Sequence, residues 1–160
     1  MLKFAQALQK KNMGYVYRMA IRSDEMLDAT LEMNTSAMEQ IWEETHDVEI
    51  PLLQYNNEDS LSCVVTLVYL NARDTYRIER EEKTGKGYAD FIFHPQREGD
   101  PAIILELKKD SSPQAALKQI HEKNYLQKVK DCEQILLAGI TYDSRTKKHH
   151  VCMECIKRDD

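Results

Sequence analysis

Two short stretches decide the fold that this sequence predicts: Gly87-Tyr-Ala-Asp-Phe-Ile-Phe93 and Ile103-Ile-Leu-Glu-Leu-Lys108. Both are rich in the aromatic and branched aliphatic side chains that favour β-strands. The segment between them, residues 95–101, is polar and contains Gly99 and two prolines, which favours a loop. We therefore predict an antiparallel pair of strands joined by a loop that is centred on Glu98.

In that register Asp90 lies directly opposite Glu106, which brings the two Cβ atoms to about 4.5–5.5 Å. Lys108 shares the face of Glu106, because side chains alternate between the two faces of a strand. A shift of one residue in the pairing would send the acidic side chains to opposite faces, so their convergence depends on this register. The other face is apolar and is predicted to be core: Phe91, Phe93, Ile103, Leu105 and Leu107.

Two opposed carboxylates repel each other in an apolar sheet unless a positive charge lies between them. A hard cation such as Mg²⁺ binds carboxylate oxygens and usually keeps waters and a substrate phosphate as its other ligands. Such a site, with Lys108 to neutralise developing charge, is typical of phosphodiester hydrolysis. A Glu-x-Lys triplet alone is more often a solvated or ion-paired strand face. The pattern predicts a divalent-metal site, with an ion-paired structural sheet as the alternative.

The flanking sequence predicts an α/β fold with a mixed sheet between helices. Ser111-Ser112-Pro113 is a strong helix start, and a helix that joins two strands favours their parallel pairing. The helix that follows is predicted to run to about Lys130. Strands are predicted over residues 75–82, 88–94, 102–108, 133–141 and 148–156. Further helices are predicted over residues 1–9, which end before Gly14 as a stop signal, over residues 15–33, from an Asn34–Ser36 cap to Trp42, and from about Asn57.

Composition excludes several classes of protein. The 160 residues are enough for one domain with a real core, and no apolar run reaches the roughly 18 residues of a membrane span. Four irregularly spaced cysteines and the lack of a secretory signal favour a cytoplasmic protein. The net charge of −5 gives no general signal of nucleic-acid binding, so any DNA contact requires a local patch, a metal or a partner.

Asp90, Glu106 and Lys108 together resemble the motif of the PD-(D/E)XK nuclease superfamily. More narrowly, the chain is similar to the nuclease-like domain that lies C-terminal to an AAA-type ATPase-like domain in many bacterial proteins. Three features carry that narrower resemblance: Asn57-Glu58 at the start of the helix before the sheet, Gly85-Lys86-Gly87 before the aspartate, and Gln119-Ile120 with Lys123 and Tyr125 after the lysine.

The resemblance implies a restriction-endonuclease-like core over residues 53–160 and a helical extension, or spacer, over residues 1–52. It implies a metal-dependent nuclease that uses Mg²⁺ or Mn²⁺ and acts on DNA. The implied metal ligands are Asp90, Glu106 and Glu58, and Lys108 and Gln119 complete the implied catalytic set. Five lysines near this site are candidates to track a DNA backbone: Lys83, Lys86, Lys109, Lys118 and Lys123.

A second function stays open on the sequence alone: a catalytically inactive module of the same fold that serves DNA binding or protein interaction for an ATPase. The acidic net charge favours it, as does Tyr88, which stands where this branch often has arginine. The intact Asp90, Glu106 and Lys108 favour the enzyme. The expected partners are DNA, an ATPase-like domain in the same protein or a second copy of the chain, and no membrane.

Overall fold

The computed structural model describes residues 12–49, 65–81 and 90–158. Its five strands are β1 (Tyr76–Glu81), β2 (Asp90–Pro95), β3 (Ala102–Lys109), β4 (Gln134–Asp143) and β5 (Lys148–Lys157). Its helices are α1 (Asn12–Leu31), α2 (Thr35–Glu49) and α3 (Pro113–Glu122), with 3₁₀ helices at Leu70–Asp74 and Asn124–Val129. Residues 65–68 are also helical. Among the described residues, no helix is long and apolar enough to cross a membrane.

The five strands form one sheet in the order β1-β2-β3-β4-β5. Neighbouring strands are antiparallel except β3 and β4, which are parallel and are joined through α3. A parallel pair needs such a crossover, because a tight turn can only reverse the chain. The predicted mixed α/β sheet is confirmed, and so is its division into a three-strand meander followed by a crossover helix.

The sheet buries a different layer on each face. One face packs against α1, α2 and residues 65–72, and its centre is the predicted core: Phe91, Phe93, Ile103, Leu105 and Leu107. The other face packs Ile92, Ile104 and Leu137 against Ile120 of α3 and against Val129. Burial of both faces explains why the sequences of β3 and β4 are nearly continuous apolar runs. The prediction that Asp90 and Glu106 lie away from the larger core is confirmed.

The two N-terminal helices differ from their predicted bounds. Gly14 does not stop a helix, since α1 runs through it from Asn12; a helical glycine costs only about 1 kcal/mol relative to alanine. Asn34 caps α2 by accepting the Ala37 N–H at 3.2 Å, and α2 continues past Trp42 to Glu49. Trp42 is fully buried in the core cluster of the sheet, and this tertiary packing extends the helix. The division at residue 52 lies outside the described residues and stays a prediction, as does the start of the predicted helix near Asn57. The later part of that helix is confirmed, because residues 65–68 are helical.

The crossover helix begins as predicted and ends earlier. The Ser112 hydroxyl accepts the Ala115 N–H at 3.1 Å, and Pro113 opens α3. The predicted end at Lys130 is wrong, because α3 ends at Glu122. Lys123 is extended (φ −88°, ψ 135°), and a 3₁₀ helix follows it. The break turns the side chains of Lys123 and Tyr125 onto the sheet, where both bind a buried carboxylate. Local helix propensity does not include these long-range contacts, so the sequence pattern placed the end of the helix too late.

Gly139 of β4 allows α3 to approach the sheet. A Cβ at this position would lie 2.4 Å from the Pro113 carbonyl oxygen and 2.9 Å from the Ala116 Cβ. Gly139 is also the neighbour of Glu106 in the register of β3 and β4. The glycine therefore allows α3 to pack closely on β4 beside Glu106.

We expect Gly139→Ala to lower the free energy of unfolding by about 1–3 kcal/mol, because the new methyl group overpacks against the α3 backbone. Urea denaturation followed by circular dichroism measures this change. Adding Ala116→Gly removes the Cβ clash but leaves the clash with the Pro113 carbonyl, so the double variant should stay destabilised. Wild-type stability of Gly139→Ala would show that α3 lies farther from β4 than described.

Candidate active site

The two acidic residues of the motif face each other across β2 and β3. Asp90 pairs with Glu106, and Ile92 pairs with Ile104. Both acidic side chains are 0 % exposed. Lys108 follows on the same face of β3 and is half-buried beside Thr141 of β4. The predicted register is thus confirmed, and Asp90, Glu106 and Lys108 share one face of the sheet.

A third carboxylate stands in the same row of the sheet. Glu81 of β1 pairs with Asp90, so Glu81, Asp90 and Glu106 follow one another on three neighbouring strands. Lys128 neutralises the outer part of this row, because its Nζ binds Glu81 and lies 3.0 Å from Oε1 of Glu79. Glu79 also pairs with His94 at 2.7 Å, and these two partners lower the pKa of Glu79.

Lys123 supplies the positive charge between the two buried carboxylates. Its Nζ lies 2.9 Å from Oδ2 of Asp90 and 3.4 Å from Oε1 of Glu106. Buried charges are tolerated when they are paired and hydrogen-bonded, so this ammonium relieves the repulsion of the opposed pair. The side chain of Lys123 is 31 % exposed, which leaves it a path to solvent.

Tyr125 completes the contacts of Asp90. Its hydroxyl donates a hydrogen bond to the same Oδ2 atom that Lys123 binds. Burial, and then this bond to Asp90, raise the pKa of the Tyr125 phenol. The phenol therefore stays protonated at neutral pH and acts as a donor. The ring centroid of Tyr125 lies 5.7 Å from Nζ of Lys123, so the ring also borders the ammonium.

The other predicted site residues lie on α3, at the end of β3 or outside the described residues. Gln119 is half-buried on α3. Lys118 is exposed on α3 beside Glu122, at 3.9 Å, and Lys109 is half-buried at the end of β3. Lys123 is bound to the carboxylates themselves. Three predicted residues lie outside the described residues: Glu58, Lys83 and Lys86.

Sequence patterns predicted neither Lys128 beside the carboxylates nor the hydrogen bond from the Tyr125 hydroxyl to Asp90. The alternation of β1 and its pairing with β2 could have placed Glu81, since the meander puts it opposite Asp90. No local pattern could have placed the Lys123 ammonium between the two carboxylates, because these contacts accompany the end of α3 at Glu122, which the sequence did not predict.

The donor set fits a divalent cation in its chemistry. Mg²⁺ is commonly bound by one or two protein carboxylates and fills its other positions with waters and phosphate oxygens. Asp90 and Glu106 offer two such carboxylates on one face. Within residues 12–49, 65–81 and 90–158, no three histidine, cysteine, aspartate or glutamate side chains are grouped to hold an ion. An ion at this pair would therefore rest on two described carboxylates and would require the Lys123 ammonium to move.

A comparison with protein families shows the superfamily to which the chain belongs. The model of the PD-(D/E)XK nuclease superfamily matches residues 56–151, more than half of the 160 residues. The chain belongs to the PD-(D/E)XK nuclease superfamily. The match spans Asp90, Glu106 and Lys108, and the five-stranded mixed sheet is consistent with the restriction-endonuclease-like fold of that superfamily. PD-(D/E)XK nucleases usually use divalent metals. No curated protein matches the chain.

Proposed function

We propose that this chain is a metal-dependent nuclease that hydrolyses phosphodiester bonds of DNA at Asp90, Glu106 and Lys108. The pairing of Asp90 with Glu106 carries the proposal, because it opposes two fully buried carboxylates two residues from a lysine on the same face. Two opposed buried acids would destabilise a sheet with a purely structural role, since each carboxylate costs several kcal/mol to remove from water.

Each residue has a proposed role. Asp90 and Glu106 would hold Mg²⁺ or Mn²⁺, with Glu58 as a third ligand. A bound ion would supply a water of lowered pKa and would stabilise charge on the phosphate. Lys108 makes no ion pair with any described residue, so its ammonium is available to a phosphate oxygen. Gln119 would orient groups at the edge of the site.

The DNA contacts are proposed for the lysines around this face. Lys109 and Lys118 are present on the adjoining strand end and helix, and Lys83 and Lys86 precede β2 in the sequence. Phosphate contacts of this kind position a duplex without reading its sequence. The net charge of −5 disfavours DNA binding by the chain alone. An ATPase-like domain in the same protein, or a second copy of the chain, would supply further contacts with DNA.

We expect the purified chain to cleave plasmid DNA with Mg²⁺ or Mn²⁺, to stop when a chelator removes the metal, and to resume when Mn²⁺ is restored. The reason is that phosphodiester hydrolysis at this site would depend on a divalent ion, which Asp90 and Glu106 would hold. Agarose gels of the reaction measure this, and the activity should coincide with the protein peak in gel filtration. Cleavage that continues unchanged in excess chelator would contradict the proposal.

A second candidate function is a catalytically inactive module of the nuclease fold that binds DNA or a protein partner. The contact of Lys123 with both carboxylates favours it, because an ammonium already neutralises the pair without a metal. Calorimetric titration with Mn²⁺ separates the two functions. Heat that saturates with metal supports the enzyme, whereas DNA binding with no Mn²⁺ binding in either the wild type or a variant lacking the Lys123 charge supports the inactive module.

A further inference from the structure

We propose that Lys123 is a built-in competitor of the metal: its ammonium occupies the Asp90–Glu106 pair, and the chain loads a divalent ion only when the Lys123 side chain leaves. This rests on the proposed metal-dependent nuclease function and adds a control on metal loading. Below, "the carboxylate pair" means Asp90 and Glu106.

The position of the ammonium carries the first step. Nζ of Lys123 is within 2.9 Å and 3.4 Å of one oxygen from each member of the carboxylate pair. A divalent ion held by Asp90 and Glu106 would need oxygens of the same two carboxylates. The ammonium and the ion cannot both be present there, since like charges at such a separation repel strongly in a poorly hydrated site. Binding of one therefore excludes the other.

Electrostatic energies predict which cation occupies the carboxylate pair with and without metal. The carboxylate pair is 0 % exposed, so departure of Lys123 without a replacement removes a close positive charge from two buried carboxylates, which is costly. The metal-free chain should therefore hold Lys123 on the pair. A divalent ion carries twice the charge of the ammonium and can displace it, but only at the cost of breaking these contacts. The observed metal affinity is then lower than the intrinsic affinity by the fraction of molecules in which Lys123 has left.

The local structure allows the side chain to leave. Lys123 lies outside α3, in an extended conformation between that helix and the 3₁₀ helix Asn124–Val129. Its side chain is 31 % exposed, whereas the carboxylate pair is fully buried. Tyr125 keeps its hydrogen bond to Asp90 as an anchor on the same segment. Lys123 can thus move by its own rotamers while the segment and the carboxylates stay in place.

The test compares Mn²⁺ binding by the wild type, Lys123→Met and Lys130→Met in isothermal titration calorimetry. Methionine keeps the length of the lysine stem and removes the charge. We expect Lys123→Met to bind Mn²⁺ about tenfold more tightly than the wild type, because no competing population remains. Lys130 is an exposed lysine of the same segment that makes no side-chain ion pair with the described residues, so Lys130→Met should bind like the wild type.

Thermal unfolding gives a second readout. Without metal, Lys123→Met should melt at a lower temperature than Lys130→Met, since its buried carboxylate pair has lost the Lys123 ammonium. Saturating Mn²⁺ should raise the melting temperature of Lys123→Met by more than it raises that of the wild type. Lys123→Gln retains a hydrogen-bond donor for the carboxylates and replaces Lys123→Met if the latter does not fold.

The possible outcomes separate this inference from the proposed function. Equal or weaker Mn²⁺ binding by Lys123→Met, with binding by the wild type that Asp90→Asn removes, overturns the competition and leaves the metal site standing. Absence of Mn²⁺ binding in the wild type together with tight binding by Lys123→Met supports the competition in its strongest form. Absence of binding in both proteins overturns the proposed metal site and the inference with it.

Discussion

Asp90→Asn is expected to abolish Mn²⁺ binding and to lower metal-dependent DNA cleavage by about 10²–10³-fold or more, the range seen when a group that stabilises a transition state is removed. Asp90 is one of the two fully buried carboxylates that are proposed to hold the ion, and an amide oxygen is a far weaker ligand for a hard cation. Calorimetry with Mn²⁺ and single-turnover cleavage of plasmid DNA measure the two losses.

The same variant should keep its fold. Asparagine has the shape of aspartate, and its oxygen can accept the hydrogen bond from the Tyr125 hydroxyl. The change leaves Lys123 paired with Glu106 alone, which reduces the charge imbalance of the cluster. We therefore expect a melting temperature no lower than that of the wild type without metal.

Asp100→Asn is the matched control for Asp90→Asn. Asp100 lies in the loop between the same two strands and pairs with Arg97 at 2.8 Å, on the loop and away from the carboxylates. It should retain both metal binding and cleavage. Metal-dependent cleavage at the wild-type rate by Asp90→Asn would remove this residue from the proposed site.

Lys108→Met is expected to lower the cleavage rate by about 10²–10³-fold while the affinity for Mn²⁺ is kept. Lys108 shares the face of the carboxylates but makes no ion pair with a described residue, so its charge is proposed to act on the phosphate and not on the metal ligands. Removal of a nearby positive charge should not weaken the binding of a cation. A fall in rate with unchanged metal binding assigns Lys108 to the reaction itself.

Lys157→Met is the control for Lys108→Met, because Lys157 is an exposed lysine at the end of β5. It should match the wild type in both assays. Loss of Mn²⁺ binding in Lys108→Met would contradict the proposed role, since it would place Lys108 among the groups that organise the carboxylates. Wild-type cleavage by Lys108→Met would show that the lysine is not needed for the reaction.

The contrast between Lys108 and Lys123 is the central feature of this site. Lys108 was predicted from its spacing to Glu106, whereas Lys123 was predicted as a DNA contact on the helix that carries the family resemblance. In the structure it is Lys123 that touches the carboxylates. The two lysines are therefore expected to act in opposite directions on cleavage: removal of Lys108 slows the reaction, and removal of Lys123 favours the loading of metal.

Sequence patterns were enough to predict the mixed sheet, the start of α3 at Ser112-Pro113 and the pairing of Asp90 with Glu106. These features depend on side-chain alternation, loop length and local capping, which act over a few residues and are visible in a linear pattern. Only the tertiary structure decided the end of α3 at Glu122, the continuation of α2 to Glu49 and the place of Lys123 and Tyr125 on Asp90. The physical reason is that these depend on a buried tryptophan and on two buried charges, which stabilise a chain conformation that local propensities alone do not select.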